Sequence, residues 1–241
     1  MAAALMTLSV LGYAFLGGIL PSLIWLYFLL KEDASHHEPK KLLAIAFIAG
    51  MAAVPLAVPL EQLANATLIG SIPVLTTWAL IEEVLKYGMA AAFILWRPIV
   101  DEAPEYVIYM ITVALGFAAT ENMLFLITPI LDGDIASSIF AGDTRFIGAT
   151  LLHVFASALI GFALAFSHTS RPAIRVAAAS GGLILAIALH TAFNALIITQ
   201  GTSTTFAAVS LVWAAAVIFF ATFEVLKFFQ YRNPPSNSYK P

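Results

Sequence analysis

The chain has 241 residues, 61% of them hydrophobic and 10% charged, with a mean hydropathy of +0.94. A soluble domain carries about 25% charged residues, so this composition excludes one and specifies an integral membrane protein. A net charge of −3 gives no footprint for nucleic acid, and the lack of cysteine removes disulfides, thiol nucleophiles and zinc–thiolate centres together.

Seven apolar runs follow in chain order, at roughly 5–30, 42–60, 72–96, 106–130, 146–167, 174–199 and 205–229. Each is near or above the ~20 residues that a helix needs to cross the hydrocarbon. The first has no basic leader and is too long for a signal-peptide core, so it reads as a retained span. The second is the shortest and carries Pro55 and Pro59, which leave its end open. The expectation is an all-α, polytopic transmembrane helix bundle in a single domain over 1–229, followed by a polar, proline-bearing and disordered tail over 230–241.

Orientation follows from the basic residues. Lys31, Lys40, Lys41, Arg97, Arg171, Arg175, Lys227, Arg232 and Lys240 fall on one side of the seven-span scheme, and Arg145 alone on the other. The positive-inside rule then predicts the N-terminus outside and the C-terminus in the cytoplasm.

The third run, Trp78–Trp96, holds Glu82, Glu83 and Lys86 in an otherwise apolar stretch. A charge at mid-membrane costs roughly 2.5–3.5 kcal/mol on insertion scales, so three within five residues require a role. On a helix Lys86 is i+4 from Glu82 and i+3 from Glu83, and pairing with either leaves one carboxylate over. Later runs add Glu121 with Asn122, then His153, then His190 with Asn194. At ~1.5 Å per residue, Glu82, Glu83, Glu121 and His190 lie ~20–24 Å from their cytoplasmic ends, and His153 ~18 Å. Four helices of alternating direction thus bring carboxylates and imidazoles to nearly one plane. His190 and Asn194 share a helix face, as do Phe117 and Glu121, which places an aromatic wall beside a carboxylate. His36, His37 and His168 sit in loops, and Glu224 and Lys227 near a helix end, where solvation suffices.

This set suits a divalent metal such as zinc, with Glu83, Glu121, His153 and His190 as ligands and an open position. It equally suits a Glu/His pair that activates water with no cofactor. The helix-borne HExxH zinc motif and the aspartyl GxGD motif are both absent. Ser180 and His190 share one helix ~15 Å apart, too far for a dyad. The other readings are a proton- or cation-coupled transporter using the same buried groups, and a catalytically silent membrane scaffold or sensor.

EExxK (Glu82, Glu83, Lys86), FxxxEN (Phe117, Glu121, Asn122), His153 and HxxxN (His190, Asn194) together resemble the PrsW family of intramembrane proteases. That family is related to the CAAX prenyl endopeptidases and bacteriocin-processing membrane proteins. Those relatives carry EExxxR and FxxxH, so Lys86 and Glu121 favour the PrsW branch. The resemblance implies proteolysis of a membrane-protein substrate, typically an anti-sigma factor, in a prokaryotic plasma membrane, and the depths and orientation above predict that the cut lies near the outer leaflet. The resemblance further implies that Glu82 or Glu83 is general base or metal ligand, that Asn194 polarises the scissile carbonyl, and that Lys86 is the counter-charge. The motifs leave metalloprotease and glutamate protease both open, and they do not speak to oligomeric state.

Overall fold

A computed structural model describes residues 2–32, 39–131, 148–198 and 202–232. His36, His37, Arg145, the 132–145 stretch and the 233–241 tail lie outside the described residues. Within them the chain is helical, with seven long helices: α1 (Ala2–Glu32), α2 (Lys40–Thr67), α3 (Ser71–Ala90), α4 (Ala103–Leu131), α5 (Thr150–Ser167), α6 (Pro172–Ile198) and α7 (Thr202–Arg232). Six are long and apolar enough to cross a membrane. The exception is α3, which carries Glu82, Glu83 and Lys86 and ends in a π-helical turn over Ala91–Leu95.

The second helix goes beyond the sequence expectation. It runs through both Pro55 and Pro59 to Thr67, seven residues past the apolar run at 42–60. Each proline removes one backbone donor, a loss that membrane helices tolerate because neighbouring helices and local adjustments satisfy the freed groups. The chain then turns at Gly70, whose φ of 92° favours glycine, and enters α3.

The centre of the bundle is α4. From Ala103 to Ala119 every residue is buried, because α1, α2, α3, α5 and α7 all pack against it. A helix that is apolar on all faces belongs in such a position. The outer helices show the converse, with Phe15, Tyr27, Ile184, Val217 and Phe220 exposed on the rim where lipid tails would meet them.

Between helices in lipid there is little hydrophobic drive, so close packing by small residues does the work. Gly50 of α2 and Gly116 of α4 face each other's helices directly. A Cβ at Gly50 would enter the Val113 carbonyl, and one at Gly116 the Phe47 carbonyl. This crossing sets the depth of Phe117 and Glu121 against α2. Gly50→Ala and Gly116→Ala should each destabilise by about 1–3 kcal/mol through overpacking against backbone. Gly88→Ala and Gly181→Ala, where a Cβ meets nothing within 4 Å, should be neutral or gain up to about 1 kcal/mol. Thermal unfolding of the four purified variants in one detergent checks the contrast, and equal behaviour would refute it.

Candidate active site

Four helices deliver the polar groups to one buried cluster. The helical period places Glu82, Glu83 and Lys86 within a turn of α3, Phe117 and Glu121 one turn apart on α4, His153 and Ser157 one turn apart on α5, and His190 and Asn194 likewise on α6. Glu83 and Lys86 are fully buried, and Glu82, His153 and His190 nearly so.

The surplus carboxylate is resolved by geometry. Lys86 Nζ donates to Glu83 Oε1 at 2.6 Å, so the i,i+3 pair forms. The same Glu83 oxygen meets His190 Nδ1 at 2.8 Å, and Ser157 Oγ donates to Glu83 Oε2 at 3.4 Å. Lys86 also reaches His153 Nδ1 at 3.0 Å and lies 4.8 Å from the centre of the Phe117 ring. Glu121 Oε2 stands 2.8 Å from His153 Nε2. Asn122 is placed beside these groups rather than among them, its Nδ2 donating to Thr150 Oγ1 at 3.0 Å.

These contacts dictate the imidazole tautomers. An ionised carboxylate only accepts, so His190 donates from Nδ1 to Glu83, and His153 donates from Nε2 to Glu121. The lone pairs are left on His190 Nε2 and on His153 Nδ1, the latter accepting from Lys86 Nζ. Both nitrogens lie 3.8 Å from one atom, Glu82 Oε2, which is buried and has no hydrogen-bond partner. The two rings meet edge-on, 5.2 Å between centres.

Glu82, His153 and His190 therefore form a three-ligand group whose donor atoms lie within 4.8 Å of one another. Of these three acceptors only His153 Nδ1 has a cation against it, the Lys86 ammonium at 3.0 Å, which a metal ion would displace from that lone pair. With all three carboxylates ionised, Glu82, Glu83 and Glu121 against Lys86 leave two negative charges in an apolar bundle, the deficit that one divalent ion fills. One carboxylate oxygen and two imidazoles are donors that zinc accepts. The residues fit a metal. The ligand set expected from sequence overlaps this group at His153 and His190 only: the carboxylate grouped with them is Glu82, whereas Glu83 and Glu121 hold the far nitrogens of the two rings.

The cluster forms one wall of a cavity of about 520 Å³ bounded by α2 to α6. Glu121 and Asn194 line it, as does Phe117, whose ring stands 5.3 Å from that of His153. So does Glu61 of α2, a residue that sequence reasoning left outside the site. Its signal was available, since Glu61 is the lone charged residue between Lys41 and Glu82.

The description "PrsW family intramembrane metalloprotease" belongs to the family model that matches residues 38–224, most of the chain and every residue of this cluster. The chain belongs to the PrsW family. It is thus a multi-pass intramembrane protease, which decides between the hydrolase and transporter expectations. No curated protein and no solved structure matches the chain.

In this PrsW-family site the buried ion pair should be a unit. Lys86→Met strands the wholly buried Glu83 and should cost about 3–5 kcal/mol. Adding Glu83→Gln should restore part of that loss, because the stranded charge is gone. Thermal unfolding of both single variants and the double variant measures the coupling. Strict additivity would mean that the two residues act independently.

Proposed function

We propose that the protein hydrolyses a peptide bond of a membrane-protein substrate of the anti-sigma-factor type, with a divalent ion such as zinc held by Glu82, His153 and His190. The observation that carries this reading is the orphaned Glu82 Oε2, buried between the two imidazole lone pairs at 3.8 Å from each. A bound divalent ion supplies Lewis acidity for the scissile carbonyl and for the attacking water.

The chain's own residues do the rest. Glu83 and Glu121 fix the tautomers and directions of His190 and His153, as carboxylates behind metal-binding histidines do. Glu121 is the most accessible of the three deep carboxylates, with 22% of its side chain exposed. It takes the proton from the attacking water and returns it to the leaving amide nitrogen. Asn194, one turn from His190 on the cavity wall, donates to the carbonyl oxygen as negative charge develops there. Lys86 holds Glu83 ionised, and Phe117 closes the site behind His153.

Ligand and orienting carboxylates should separate experimentally. Glu82→Gln should abolish both cleavage and stoichiometric metal in purified protein. Glu83→Gln and Glu121→Gln should lower metal affinity by about 10–100-fold while leaving a detectable site, with Glu121→Gln also losing cleavage for want of its base. Elemental analysis together with cleavage of a co-expressed single-span substrate reads both quantities. Wild-type protein that cleaves while carrying no metal would overturn the metal assignment in favour of water activated by glutamate alone.

The placement in the membrane belongs to the same proposal: a prokaryotic plasma membrane, N-terminus outside, with the cavity opening toward the outer leaflet. Nine of the ten lysines and arginines outside the buried cluster lie on the opposite side in that arrangement. Ala149 and Ile198 line the cavity near its end of the bundle, and the chain has no native cysteine. Single cysteines at these positions should react with an impermeant thiol reagent added from outside. Labelling from the cytoplasmic side alone would invert the topology.

A further inference from the structure

Glu61 occupies a corner of the cavity that the proposed chemistry does not use. It lies six residues before the end of α2, about 9 Å along the axis from Thr67, and is half-buried. Trp78 of α3 is pinned beside it, the indole Nε1 donating to the Glu61 carbonyl at 3.2 Å, and both residues line the cavity. Trp78 is one turn before Glu82, about 6 Å along α3. Among the described residues no Lys, Arg or His makes an ion pair with Glu61.

A divalent ion would balance the deep carboxylates and leave this one uncompensated. A second metal is a poor occupant, because the neighbouring carboxylate, Glu121, is already engaged by His153 and serves the proposed chemistry. A carboxylate beside an indole instead matches an organic cation, which pairs with the charge and lies on the ring face. We infer that Glu61 and Trp78 form a subsite for a lysine or arginine side chain of the substrate, so that Glu61 is a specificity-determining residue of this protease. The inference rests on the proposed site at Glu82. Extended chain advances about 3.3 Å per residue, so the basic residue sits about two positions from the scissile bond, toward the Thr67–Ser71 end of the bundle.

The test uses full-length protein in lipid vesicles with synthetic single-span peptides. Each peptide has a Leu/Ala span with Gly/Ser flanks, and carries one Lys, Gln or Glu at successive flank positions. Binding and cleavage are both measured. At one or two adjacent positions the Lys peptide should bind about tenfold more tightly than its Gln counterpart. Glu61→Gln should erase that difference, Glu61→Asp should retain part of it, and Glu61→Lys should reverse it in favour of Glu. A Lys preference that survives Glu61→Gln, or no preference at any position in the wild type, overturns the subsite whether or not cleavage occurs. Lys-dependent binding that needs Glu61, without cleavage of any peptide, supports the subsite and counts against the hydrolytic reading alone.

Discussion

The structure depends on keeping Glu83 and Lys86 charged where no water reaches them. Desolvating such a pair costs several kcal/mol per ion, and direct attraction repays it only when the remaining hydrogen-bond capacity is filled. Here it is filled by other helices. Glu83 takes contacts from His190 on α6 and Ser157 on α5, and Lys86 spends a second donor on His153. One helical turn of α3 therefore ties three helices together. The same need explains why α3 turns Glu82, Glu83 and Lys86 inward and leaves Ile72, Leu80 and Val84 exposed, while α1 and α7, apolar around most of their circumference, lie at the rim.

The ties hold the site because the scaffold beneath them cannot slide. Backbone contact at Gly50 and Gly116 locks α2 onto α4, and Gly161 brings α5 against Val107 of α4 in the same way. Asn122 to Thr150 and Glu121 to His153 then join α4 and α5 within one turn of each other. A displacement of α5 by one residue, about 1.5 Å, would break both. Polar bonds between membrane helices average under 1 kcal/mol each, so their value here lies more in register than in affinity.

Much of this was legible in the sequence. The apolar runs marked the helices, and residues out of place in them marked the cluster, since hydrocarbon makes every intramembrane charge conspicuous. Asn194 and Phe117 fell where one-turn spacing put them. The division of labour among carboxylates was not legible. Glu82 and Glu83 point about 100° apart on α3, and Lys86 is within reach of either. Only the position of His190 selects Glu83 for the lysine and leaves Glu82 Oε2 unpaired, and that position is a matter of tertiary packing. Glu61 was hidden for another reason. It falls one residue past the apolar run at 42–60, whose end Pro55 and Pro59 left open, and α2 carries it on to Thr67.

Cavity size bears on how a substrate can reach this wall. The cavity is lined over about two turns of its walls, Val54–Glu61 on α2 and Leu75–Glu82 on α3, whereas a spanning helix of ~20 residues runs to more than five. A spanning helix cannot enter whole. Within a helix, moreover, each interior carbonyl is already engaged by an amide four residues on, which leaves it a poor partner for the donor proposed at Asn194. On the proposed reading, a segment that reaches Glu82 is therefore frayed or extended, as chain is where it leaves the hydrocarbon and water can replace the lost hydrogen bonds. The cavity is built for that condition. Its polar groups, Glu121, His153, His190 and Asn194, gather on one side, while Val54, Leu75, Phe193 and Ile197 supply apolar surface for the rest of the chain. Water and unwound peptide can then share a space that a folded transmembrane helix does not fit.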